Sequence, residues 1–100
     1  MAIVQSGLVQ QPEIEKRVKR LEELFANEPE IARIDHRLAQ DWSGDYSIFV
    51  EVVLNTTTTP HNVVARLSEE IGNALLRLVR SEEFGMHSYL NFSSRPENGQ

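Results

Sequence analysis

The chain contains no cysteine. That absence excludes disulfides, thiolate catalysis and cysteine-ligated metals together, and it makes a cytoplasmic location the expectation. No apolar run approaches the ~20 residues that span a bilayer, so no membrane partner is expected. The opening Met1-Ala2-Ile3-Val4-Gln5-Ser6 has no basic region and only a short apolar run, unlike a secretory leader. Positive charge is scarce as well: ten Lys and Arg stand against fifteen Asp and Glu, a net charge of −5. Phosphate binding over a broad surface needs a positive footprint, so nucleic acid is disfavoured as a partner. Catalytic signatures are also missing. There is no G-x-S-x-G, no Gly-rich phosphate loop and no recognisable nucleophile–base pair. With one small domain leaving little room for a deep pocket, no enzymatic activity is expected.

What is present specifies a fold. One hundred residues are enough for one core. The segment Asp45–Asn55 is the clearest signal. Tyr46, Ile48, Val50, Val52 and Leu54 alternate with Ser47, Phe49, Glu51, Val53 and Asn55, which is the period of a strand with one buried and one half-apolar face. Before it, residues 31–40 alternate in the same way. Ala32, Ile34, His36 and Leu38 fall on one side, and Arg33, Asp35, Arg37 and Ala39 on the other. Asp41-Trp42-Ser43-Gly44-Asp45 reads as the hairpin connection.

Two helices flank this pair. Pro12 suits a first turn, and Ile14, Val18, Leu21 and Phe25 form one apolar stripe that ends before Pro29. Its Lys16, Arg17, Lys19 and Arg20 interleave with acids, as in a solvated face carrying i,i+4 pairs such as Glu13–Arg17 and Glu15–Lys19. Thr59-Pro60 opens the second helix with Thr59 as N-cap. Val64, Leu67, Ile71, Ala74, Leu75 and Leu78 give its stripe, Gly72 allows a close contact or a kink, and Gly85 ends it. A last strand covers 86–94, with Met86, Leu90 and Phe92 inward and His87, Tyr89, Asn91, Ser93 and Arg95 outward.

The order is helix, strand, strand, helix, strand. The expected fold is α+β: a two-layer α/β plait, ferredoxin-like but lacking its first strand, with both helices on one face of the sheet. Residues 1–11 are expected to be an arm or edge strand, 12–95 the domain, and 96–100 a flexible tail. The core is expected on Ile14, Val18, Leu21, Phe25, Ile34, Leu38, Ile48, Val50, Val52, Leu67, Ile71, Leu75, Leu90 and Phe92.

The uncovered sheet face is the candidate site. It gathers Phe49, Val53 and Tyr89 among Arg33 and Arg37, and apolar groups on an otherwise wet face are best hidden against a copy of themselves. The expectation is therefore a non-enzymatic interaction domain that forms a homo-oligomer through this face, or takes up another protein there. Asp41 and Asp45 are explained by the turn, and Trp42 is expected to cap the end of the core. Of the three histidines, His36 falls on the core-facing parity and His87 on the solvent-facing one, with His61 in the first helical turn.

Ile34-Asp35-His36-Arg37, the strand pair that follows, Thr59-Pro60-His61 opening a helix and His87 in the last strand resemble the cytosolic domain of cation diffusion facilitator transporters over about residues 13–93. The resemblance implies the same element order, a dimer, and a zinc-responsive site at His36, His61 and His87. No cofactor is expected from the residues themselves, so zinc enters only as the alternative that this resemblance carries. The order is also similar to KH-type domains, with Gly72 in the place of the helix kink.

Overall fold

A computed structural model of the chain describes residues 11–94. Helix α1 (Gln11–Leu24) carries Pro12 and Glu13 in its first turn and buries Ile14, Val18 and Leu21. Its end is drawn tight, with Phe25 N–H donating to the Glu22 carbonyl at 3.2 Å and Glu28 N–H to that of Phe25 at 3.1 Å. Pro29 follows and the chain turns into β1 (Ile31–Gln40), which pairs antiparallel with β2 (Tyr46–Leu54). Helix α2 (His61–Ala74) crosses back to β3 (His87–Ser94), which lies parallel to β2. The sheet order is β1-β2-β3. The architecture is α+β, an open mixed sheet of three strands with two helices.

Register carries the alternation expected from the sequence into space. His36 pairs with Val50, Arg37 with Phe49, Phe49 with Tyr89 and Val50 with Leu90. Inward-parity Ile34, Ile48, Val50, Val52 and Leu54 join Ile14, Val18 and Leu21 of α1 and Leu67, Ile71 and Ala74 of α2 in one core. Phe25, Leu38, Leu90 and Phe92, expected as anchors, pack at the margin of this core and stay partly exposed. The last three belong to edge strands, which have a neighbour on one side only. The pairing of β1 shifts between Ile31 and Arg33. A bulge offsets the alternation locally, and Ile31 packs against the core although its number shares the parity of outward-facing Arg33.

The second helix departs from the sequence reading at both ends. Pro60, not Thr59, is the N-cap; its carbonyl accepts from the N–H groups of Val63 and Val64 at 3.0 and 3.1 Å. The Thr59 hydroxyl turns back to the Thr56 carbonyl at 3.1 Å. At the other end the α-helix widens into a π turn over Leu75–Val79, Arg80 takes a left-handed φ of 52°, and a 3-10 turn over Ser81–Phe84 ends at Gly85. Gly85 therefore stops this short turn rather than the long helix. Ile71, Leu75 and Val79 are all buried at i, i+4 and i+8. An α-helix of 3.6 residues per turn carries each such step about 40° round its axis, and under-winding keeps Leu75 and Val79 on the core side. Gly72 lies inside α2, two residues before its end at Ala74. A Cβ there would lie 4.0 Å from Leu90 Cδ2, so its contact is with the sheet.

Arg17 holds this irregular end in place. Its Nη1 donates to the Val79 carbonyl at 3.0 Å and to Glu83 Oε1 at 2.7 Å, and its Nε to Glu13 Oε2 at 3.1 Å. Its guanidinium lies 4.9 Å from the centre of the Phe84 ring. Arg17 is thus a clamp between α1 and the end of α2, not merely one charge on a wet face. Glu15 accepts from Gln11 Nε2 at 3.0 Å. The expected arm lies outside the described residues except for Gln11, which is helical; the tail and Arg95 lie outside them too. Among the described residues no helix is long and apolar enough to cross a membrane.

Candidate functional site

Odd-numbered residues of all three strands face away from the helices. In register they form rows: Arg37–Phe49–Tyr89, then Asp35–Glu51–Asn91, then Arg33–Val53–Ser93. The first row is a stack. The Arg37 guanidinium lies 4.6 Å from the Phe49 ring centre. Phe49 and Tyr89 stand 5.2 Å apart at 24°. Trp42 closes the stack from the hairpin, 5.1 Å from Tyr89 at 51°. Trp42 is 83% exposed, so it does not cap the core as expected. Stacked rings and a cation over a ring face are mutually attractive through their quadrupoles, which pre-orders the row.

The hairpin turn fixes the outer end of that stack. Asp41 Oδ1 accepts from Ser43 N at 2.9 Å, Ser43 Oγ at 2.6 Å and Asp45 N at 3.1 Å; Oδ2 accepts from Ser47 Oγ at 3.0 Å and Tyr89 OH at 2.9 Å. Gly44, at φ 90°, completes the turn. The hydrogen bond from the Ser43 hydroxyl, with those from Tyr89, the Ser43 N–H and Ser47, holds the Asp41 carboxyl far below its ordinary range against the desolvation that opposes it. Desolvation, reinforced by the bond to Asp41, pushes the Tyr89 phenol up. One carboxylate thus ties the β1–β2 turn, the buried Ser47 and a β3 side chain together. A carboxylate engaged on both oxygens and held ionised in this way is suited to positioning rather than to taking up protons.

A groove of about 390 Å³ opens beside the stack, lined by Trp42, Phe49 and Tyr89 and by Asp35, Glu51 and Asn91 of the next row. Arg33 pairs with Asp35 at 2.8 Å. Of the residues expected to make an interface, Arg33 and Arg37 are exposed and Phe49 and Tyr89 half-buried. Val53 keeps only 4% exposure and offers a partner little surface. Glu51 and Asn91 lie on this face as their outward parity in the sequence implies, whereas Trp42 joins the site without a sequence signal of its own, because only the fold brings it beside Tyr89.

The histidines do not converge. His36 sits on the inward parity of edge strand β1, and His87 on the outward parity of the opposite edge strand β3. With β2 between them, their strands are about 10 Å apart. His61 is the first residue of α2. His87 Nε2 approaches Asp45 Oδ2 at 3.8 Å, but among the described residues no group of three or more His, Asp or Glu is placed to hold a metal ion.

The fold and this face define a small α+β domain with an open, aromatic-bearing sheet. No family model matches the chain, and neither a curated protein nor a solved structure does.

Proposed function

We propose that this protein is a non-enzymatic interaction domain that self-associates through the outer face of its sheet. The observation that carries the reading is the Arg37–Phe49–Tyr89–Trp42 stack, which ends in a highly exposed indole on the side of the sheet away from the helices. Large aromatic surface of this kind is the common anchor of interfaces. Charge also favours a second copy. The chain as a whole is at −5, yet this face sets Arg33 and Arg37 against Asp35 and Glu51, so two copies meet there without net repulsion. We read the fold as a ferredoxin-like plait without its first strand, in which β3 has moved in beside β2 and lies parallel to it. Self-association is also what the resemblance to cation diffusion facilitator domains implies. The zinc-responsive alternative has less support, since its three histidines lie apart.

Sedimentation equilibrium from micromolar to millimolar protein tests the reading. The expected result is a reversible monomer–dimer equilibrium that Phe49→Glu abolishes while the circular dichroism spectrum is unchanged. A monomer throughout, or a dimer indifferent to Phe49→Glu, overturns it.

A further inference from the structure

We propose that two copies close as a two-fold dimer in which Arg37 of each copy pairs with Glu51 of the other. The inference rests on self-association through the outer face and specifies its geometry. Arg33 and Asp35 already satisfy each other at 2.8 Å. Arg37 and Glu51 are left as the spare charges of the groove: neither makes an ion pair among the described residues, and both line the same groove. They are diagonal neighbours, Arg37 opposite Phe49 and Glu51 opposite Asp35 in the adjoining row. Diagonal neighbours on a sheet lie about 7–8 Å apart at Cα. The Arg37 guanidinium is held over the Phe49 ring instead of reaching across to Glu51. A guanidinium with one face on a ring keeps its edge N–H donors free for a carboxylate.

Two opposite charges left over on one face are self-complementary. In an isologous contact, residue i meets j and j meets i, so one spare pair becomes two intermolecular pairs. On a lattice of strands about 4.8 Å apart with same-face residues about 6.6 Å apart along each strand, the axis that bisects Arg37 and Glu51 passes within about 2 Å of Phe49 and Tyr89. The rings of each copy therefore meet their own counterparts at the centre, with the charge pairs on either side. Asp35 also falls near the axis, where Arg33 already neutralises it. Three strands of this length present only about 400 Å² of flat face, roughly half of what each partner gives to a standard interface. The dimer is accordingly weak and reversible, and the charge pairs set its orientation more than its strength.

The test is a charge swap read by sedimentation equilibrium, with circular dichroism as the check on folding. R37E and E51R should each weaken dimerisation by about tenfold or more, because each sets like charges opposite one another, and the R37E/E51R double variant should recover most of that loss. If wild-type protein dimerises and Phe49→Glu breaks the dimer, but the single swaps do not weaken it or the double swap does not recover it, the pairing is wrong and the face reading stands. If the wild type is monomeric throughout, or dimerises irrespective of Phe49→Glu, both fall.

Discussion

Truncating Val50 to alanine removes two methyl groups from a side chain that is 1% exposed in the middle of the central strand. At about 0.8 kcal/mol per buried carbon, the lost transfer energy alone is about 1.6 kcal/mol. The space left is about 50 Å³ if nothing relaxes, which at about 24 cal/mol per Å³ adds up to ~1.2 kcal/mol. The expected loss is therefore about 2–3 kcal/mol, a large part of the ~5–15 kcal/mol that a domain of this size has. Val53 belongs to the same strand and is nearly as buried, but it lies on the opposite face between Arg33 and Ser93. Those neighbours are flexible or small and solvent is close, so relaxation removes most of the cavity term and the expected loss is about 1–1.5 kcal/mol. A bare open face would have implied less still. Urea melts of dilute protein read the difference directly. With a slope of about 1 kcal/mol/M, the midpoint should fall by about 2–3 M for Val50→Ala and about 1 M for Val53→Ala. A loss for Val53→Ala as large as that for Val50→Ala would refute the assignment of the deep core to the helix side.

Asp41→Ala should lower the melting midpoint and the fluorescence anisotropy of Trp42, the sole tryptophan, because it releases the turn and Tyr89 together; Asp41→Asn, which keeps an acceptor for the Ser43 and Asp45 N–H groups, should do so less. Stability should also fall in acid. Asp41, through Ser43, and Glu83, through Arg17, have lowered carboxyl pKa values in the fold, so each contributes stability that is present above the ordinary carboxylate range and lost as pH falls toward the folded value. Melts from pH 7 to pH 2 should show this limb, and Asp41→Asn should flatten it. Arg17→Lys should destabilise the protein almost as much as Arg17→Ala, since one ammonium cannot serve the Val79 carbonyl, Glu13 and Glu83 at once; equal stability of Arg17→Lys and wild type would remove the clamp. Gly44→Ala should cost about 1 kcal/mol through backbone strain alone, because no atom lies within 4 Å of the added Cβ.

Much of this fold is legible in the sequence where a single period persists. The alternation over 46–54 fixes which face of β2 is buried, and the register then carries that choice to both neighbours. The α1 stripe of Ile14, Val18 and Leu21 is equally plain. The end of α2 was hidden because the run Ala74-Leu75-Leu76, then Leu78-Val79, fits more than one helical face. The chain breaks at Arg80, with no glycine or proline to mark it. The Asp41 knot was half legible. The turn residues are adjacent in sequence, whereas Tyr89 comes from 48 positions away and only the crossover through α2 delivers it. Trp42 illustrates the same limit: a tryptophan beside a turn has no period, so its placement on the outer stack depends wholly on where Tyr89 lies.

The outer face as the meeting surface is tested most directly by isotope-filtered nuclear Overhauser measurements on a mixture of labelled and unlabelled protein at a concentration where dimer is populated. The account predicts intermolecular contacts among the rings of Phe49, Tyr89 and Trp42. Intermolecular contacts from Leu24 or Leu76, which among the described residues are the large apolar side chains exposed away from that face, with none from the rings, would contradict it.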